Sequence, residues 1–180
     1  TPGTFMTMGP FGTHLNRNSV WAEQAIGLNI YNARCASILQ QGLYAADILY
    51  IKDEGISSGI ADYDFTEPAT PYGYRWDIGS KNILERITVE DGRLTLPHGM
   101  NYRILVLTPM KQCSPELLKQ VKRLLQQGAT IVLSGEKPEG YMGMDANKDM
   151  EVKALADELW SKASSALYDG TVYYTKDLQK

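Results

Sequence analysis

Apolar positions recur along this chain with two different periods, and their alternation lays out an α/β order. Over residues 19–41, Trp21, Ala25, Leu28, Tyr31, Cys35 and Ile38/Leu39 fall at i, i+3/i+4 spacing, which predicts an amphipathic helix. Ser19 is placed to cap it and Gly42 to end it. Ala46-Asp47-Ile48-Leu49-Tyr50-Ile51 is a short, mostly apolar run that suits a strand covered on both faces, as in a parallel sheet. Residues 103–108 and 129–134 repeat that pattern. Between them lies the best-marked helix, capped by Ser114, with Pro115 at its first position and Glu116 at its positive end. Leu117, Leu118, Val121, Leu124 and Leu125 form its inward face, Lys119, Lys122 and Arg123 point away, and Gly128 ends it. A strand, a helix and a strand at this spacing predict a right-handed crossover between parallel strands.

The remaining segments are less uniform. Ile87 to Leu96 predicts a hairpin turning at Asp91-Gly92, with Glu90 opposite Arg93 and Ile87, Val89, Leu94 and Leu96 on one side. A short helix is expected near 79–85. Asp149 is expected to cap a helix of roughly 150–166 with Val152, Leu155, Leu159 and Ala163 inward and a Glu158–Lys162 pair outside. Residues 171–175 read as a last strand. Residues 55–76 show no period and mix Gly and Pro with Tyr63, Phe65, Tyr72, Tyr74 and Trp76, and so long a loop tends to be functional or mobile. The expected fold is α/β: a three-layer, flavodoxin-like domain of the class I glutamine-amidotransferase kind, mainly parallel, with an inserted β-hairpin. The leading helix is not needed for that topology and reads as the remnant of a neighbouring domain.

Composition narrows the function without naming it. The 180 residues are 43% hydrophobic and 22% charged, with a net charge of -3 and no Lys/Arg cluster, so a phosphate-tracking nucleic-acid surface is not expected. No apolar run approaches the ~20 residues that cross a bilayer. Two cysteines are too few for a disulfide framework; Cys35 lies on the helical stripe as a buried thiol, and Cys113 precedes a helix cap.

Ligands of open parallel sheets lie beyond the carboxyl ends of the strands, which places Lys52, Asp53, Glu54, Pro109, Gly135 and Glu136 at the expected site. A flavin or phosphate site needs a Gly-rich loop running straight into a helix, and Gly55-Ile56-Ser57-Ser58-Gly59 is a faint approach to one. A receiver domain fails because no strand-end Asp follows Leu107 or Leu133. No Gly-x-Ser-x-Gly or Gly-x-Cys-x-Gly elbow occurs, and the two histidines, His14 and His98, complete no triad. Glycoside hydrolysis needs two carboxyl groups about 5–10 Å apart, and none of the 21 acids is singled out; Glu23, nearest to His14 and Arg17, equally complements a helix dipole. His14 and Arg17 sit between Gly-rich backbone and a Trp-bearing helix, as in a barrel's strand-to-helix loop, where local capping is the alternative. Tyr72 and Trp76 suit stacking on sugar rings, against the plainer role of pinning their own loop.

Several short motifs then occur in a telling order. Gly9-Pro10-Phe11-Gly12-Thr13-His14-Leu15-Asn16-Arg17-Asn18-Ser19-Val20-Trp21 is followed by Tyr31-Asn32-Ala33-Arg34-Cys35 and Ala46-Asp47-Ile48-Leu49-Tyr50. Val89-Glu90-Asp91-Gly92-Arg93-Leu94, Leu96-Pro97-His98-Gly99 and Tyr102-Arg103-Ile104-Leu105-Val106-Leu107 come next. Over nearly its whole length the chain resembles the middle of glycoside hydrolases of the α-L-rhamnosidase type, family 106. The resemblance implies that residues 1–42 are the last loop and helix of a (β/α)-barrel and residues 43–180 a following flavodoxin- or amidotransferase-like domain. It implies that the catalytic glutamates lie upstream, so no catalytic residue is carried over, and that His14 and Arg17 help hold the sugar at the barrel mouth. It further implies a secreted, periplasmic or cell-surface enzyme of polysaccharide degradation, with this domain packed on a barrel. No cofactor and no metal site is expected within the chain. The rival expectation is a stand-alone α/β interaction or oligomerisation module. A helix cut from a barrel is expected to expose its apolar stripe or to pair with a second copy, whereas a self-contained module buries it.

Overall fold

The computed structural model describes residues 20–52, 54, 68–161, 165–167 and 169–174. The chain divides into two compact units, Thr1–Leu43 and Tyr44–Lys180. The first contains α1 (Ala25–Leu39), which ends without waiting for Gly42: the Gln40 N–H closes the last turn on the Ala36 carbonyl and the Gln41 N–H on that of Ile38. Ala25 is buried and Cys35 half-buried, but Leu28, Tyr31, Ile38 and Leu39 of the predicted stripe are 53–78% exposed. Ser19 lies outside the described residues.

The second unit opens with β1 (Ile48–Ile51), β2 (Trp76–Gly79) and α2 (Lys81–Leu84). Next come β3 (Thr88–Glu90), β4 (Arg93–Thr95), β5 (Asn101–Tyr102), β6 (Ile104–Leu107) and β7 (Gln112–Cys113). It continues with α3 (Pro115–Gln126), β8 (Thr130–Leu133), β9 (Gly140–Tyr141), α4 (Ala146–Ser161), β10 (Ser165–Leu167) and β11 (Gly170–Tyr174). Six strands form the main sheet in the order β10-β11-β8-β6-β1-β2, parallel except for the β10–β11 pair.

The register sorts the side chains into two faces. Val172, Ile131, Leu105 and Leu49 form one row across the sheet, and Leu133, Leu107 and Ile51 the next. These join Leu84 of α2, the five inward residues of α3, and Val152, Ala156 and Leu159 of α4 in the main core. All five apolar α3 residues are fully buried, each worth about 1.5–3 kcal/mol relative to exposure. The opposite face carries a smaller cluster of Ile48, Tyr50, Val106 and Val132. No helical residue joins that cluster, so among the described residues the helices of this unit pack on one face of the sheet. The mixed α/β architecture with a mainly parallel sheet matches the coarser expectation, but the second helical layer of the expected three-layer domain is not seen among the described residues of this unit.

Several local expectations change. Asp145, not Asp149, begins α4, accepting the Asn147 and Lys148 N–H groups on Oδ1. The helix therefore starts near 146 and gives way by 165 to β10, which the sequence pattern hid inside a predicted helix. Asp149 instead accepts the Tyr141 N–H at 3.1 Å and pairs with Lys153 at 2.6 Å. Lys119 and Lys122 do not simply point away, because α4 lies beside them: Lys119 pairs with Glu151 and Lys122 with Glu158. Arg123 turns back to donate to the Leu84 and Ile87 carbonyls at 2.6 and 3.1 Å, which ties α3 to the end of α2. The hairpin forms as expected, with Asp91 and Gly92 at φ +51° and +73° and Glu90 opposite Arg93. β5 extends it to three strands. β2 has no alternating pattern and follows an irregular loop, so it was not legible as a strand.

Candidate functional site

At the carboxyl ends of the parallel strands, the crevice beside β1 is filled by side chains of the chain itself. β1 is flanked by β2, the strand that follows it, and by β6, which comes later, so the strand order reverses there and the crevice between β1 and β6 is where an α/β sheet would admit a ligand. Glu54, just past β1, spans it. Its Oε2 accepts the Ser114 N–H at 2.6 Å and its Oε1 accepts the Ser114 hydroxyl at 2.9 Å. Lys81, the first residue of α2, brings Nζ to 2.8 Å from Glu54 Oε1 and 3.3 Å from Ser114 Oγ. Ser114 Oγ also accepts the Leu117 N–H at 3.3 Å, the predicted cap of α3.

Electrostatics decide what this trio can do. Burial pushes the Glu54 carboxyl up, but the Lys81 hydrogen bond and the two from Ser114 outweigh it and hold the group below the ordinary carboxylate range. The hydrogen bond to Glu54 holds the Lys81 ammonium above its usual range, against a smaller opposing effect of burial. A serine beside a lysine resembles a nucleophile and its base, yet a base must be poised to lose its proton. Lys81 is shifted the other way, Ser114 is 5% exposed, and its hydroxyl proton is committed to Glu54. The Glu54 carboxylate occupies the α3 N-terminus, where an anionic ligand would otherwise bind. The cluster thus fastens β1, α2 and α3 together and leaves no group free for acid–base or phosphate chemistry.

Pro109, Met110 and Lys111 after β6 and Glu136, Lys137 and Glu139 after β8 line a cleft of about 420 Å³ at the same edge. One of its charges is spent, since Lys137 pairs with Asp157, and a backbone bond from the Glu139 N–H to the Lys111 carbonyl ties the two loops together. No group of three or more metal-ligating side chains occurs among the described residues.

Tyr72 and Trp76 lie elsewhere. Trp76 starts β2 opposite Ile48, so it belongs to the amino end of the strands, away from Glu54. A turn closed by the Tyr74 N–H on the Pro71 carbonyl, with Gly73 at φ +93°, carries the fully exposed Tyr72 at its tip. Trp76 meets Tyr50 edge-on at 6.3 Å between centroids, and the buried Tyr50 hydroxyl donates to the Pro68 carbonyl at 2.8 Å. The loop is thus pinned from beneath while Tyr72 stays outside. Thr70 to Trp76 enclose a second cleft of about 360 Å³.

Of the strand-end residues named from sequence, Lys52, Glu54, Pro109, Gly135 and Glu136 do reach the carboxyl edge; Asp53, His14 and Arg17 lie outside the described residues. His98 is exposed at the foot of the hairpin, and Cys113 is buried in β7. The sequence did not reveal that Glu54 and Lys81 meet at Ser114. The Ser114-Pro115-Glu116 cap was visible, but its partner lies 60 residues away.

Comparison with known proteins agrees with this α/β frame. A family model described as alpha-L-rhamnosidase, glycoside hydrolase family 106, matches residues 1–180. The chain belongs to that family of glycoside hydrolases. It is 32% identical over 151 residues to a protein of Formosa agariphila provisionally named a beta-glucuronidase, covering 84% of this chain and 13% of that protein. A rhamnosidase structure from Novosphingobium sp. PP1Y superposes with a TM-score of 0.73 at 22% identity, over 96% of this chain and 17% of that one. The chain therefore spans less than a fifth of the length of the relatives it matches.

Proposed function

We propose that this chain is a non-catalytic α/β portion of a sugar-cleaving hydrolase, and that the larger enzyme cleaves terminal α-L-rhamnosyl or similar linkages in polysaccharides with two carboxylates. The observation that carries this reading is the closed switch point. The place where a flavodoxin- or amidotransferase-like domain would hold a cofactor or nucleophile is filled by Glu54, Lys81 and Ser114. In the same reading residues 1–42 belong to a barrel, His14 and Arg17 face its sugar site, and the exposed Leu28, Tyr31, Ile38 and Leu39 of α1 pack against barrel elements. A secreted, periplasmic or cell-surface location goes with such a substrate.

The test is hydrolysis of a panel of aryl glycosides led by the α-L-rhamnoside, comparing the 180-residue chain with a polypeptide of the relatives' length. Turnover by the longer polypeptide alone is expected. Turnover by the 180 residues would place the catalytic acids within them and overturn the proposal.

A further inference from the structure

We infer that the cleft between Thr70 and Trp76 is a subsite for an acidic sugar, one carrying a carboxylate on its ring, with Arg75 as the group that recognises the charge. The inference rests on the carbohydrate-directed reading above and concerns the amino end of the strands, away from the carboxyl edge. Three features support it. First, the cleft is preformed. The Arg75 carbonyl accepts the Asp47 and Ile48 N–H groups at 2.8 and 3.2 Å, Trp76 rests on Tyr50, and the Tyr50 hydroxyl holds Pro68. A ligand there meets a scaffold whose ordering cost is already met.

Second, its lining has the right chemistry. Tyr72, Tyr74 and Trp76 are 103%, 51% and 37% exposed on one short segment, and aromatic rings with a polar tip offer both a flat apolar surface and hydrogen bonds. Third, the Arg75 guanidinium in that lining has no ion-pair or hydrogen-bond partner among the described residues. Asp47, whose Oδ2 lies 3.5 Å from the Arg75 backbone N–H, is paired with Arg103 at 3.5 Å, so its charge is partly met. A guanidinium without a partner among the described residues matches a carboxylate in a planar, two-pronged fashion that no neutral sugar reproduces.

The experiment is calorimetric titration of the 180-residue chain with trigalacturonate and with a neutral trisaccharide, alongside Arg75→Gln and Tyr72→Ala. Trigalacturonate is expected to bind at least about tenfold more tightly than the neutral sugar at low salt, with the preference shrinking at high salt. Arg75→Gln is expected to remove that preference without changing neutral-sugar binding, and Tyr72→Ala to weaken both. Equal binding of the two sugars, an unchanged preference in Arg75→Gln, or no binding of trigalacturonate would each overturn the inference. Far-ultraviolet circular dichroism of each variant separates loss of binding from loss of fold, since only the Arg75 carbonyl, not its side chain, holds the sheet. The readout is binding, so it fails or succeeds independently of the hydrolysis assay.

Discussion

Glu54→Gln removes one charge from the clamp while keeping its shape, and the structure sets the size of the effect. In the native chain Glu54 accepts two hydrogen bonds from Ser114 and one from an ammonium, and its side chain is 13% exposed against 28% for Lys81. Hydrogen bonds to a charged group contribute about 1.5–3 kcal/mol in protected settings. A pair this close to solvent contributes less, and an amide still accepts from Ser114, so a loss of about 1–2 kcal/mol is expected. For a chain of this size that lowers the melting temperature by about 2–8 °C.

The pH dependence is a sharper readout. A carboxyl held below its ordinary value in the folded state supplies stability above that value, about 4.3, and loses it as pH falls through the folded one. Urea unfolding of both proteins at pH 7 and at successively lower pH should therefore show a gap that closes in the acid range. A gap below about 0.3 kcal/mol at pH 7, or one that stays constant into acid, would refute the reasoning. A double-mutant cycle with Lys81→Met should show non-additive losses, because the two residues are partners in one ion pair.

Further outcomes follow from other contacts. Tyr50→Phe leaves the Pro68 carbonyl without its donor and should cost about 1–1.5 kcal/mol in urea unfolding. Gly170→Ala places a Cβ 2.4 Å from the Ala129 carbonyl oxygen and 2.8 Å from that of Leu125, both backbone, and should cost about 1–3 kcal/mol. Gly73→Ala meets no atom and carries only the strain of φ +93°, about 1 kcal/mol, so the two glycine variants should rank in that order by thermal melting. Burial, then the hydrogen bond to Asp77 at 3.0 Å, holds the Tyr102 phenol well above the ordinary tyrosine range. Ultraviolet titration should show the same number of phenols ionising with the exposed tyrosines in Tyr102→Phe as in the native chain, whereas loss of one phenol from that set would refute the shift; stability tied to Tyr102 persists below about pH 10 and fades as pH rises through the folded value.

The sequence by itself determined the elements whose signals are local. Three buried strands, the Asp91-Gly92 hairpin and α3 with its Ser114 cap each announce themselves within a dozen residues, because periodicity, turn chemistry and capping act over that range. The order of short motifs likewise placed the chain in its glycoside hydrolase family, which the match over residues 1–180 shows. Tertiary structure alone decided what depends on distant partners. β2 becomes a strand because β1 offers an open edge to a segment without strand pattern. Lys119, Lys122 and Arg123 look like a solvated helix face until α4 and the end of α2 are set beside them. Glu54 looks like a strand-end ligand residue until folding places its carboxylate on the α3 N-terminus, 60 residues away. Closing such a long loop is favourable only once the whole core has formed, so no local pattern in the chain records it.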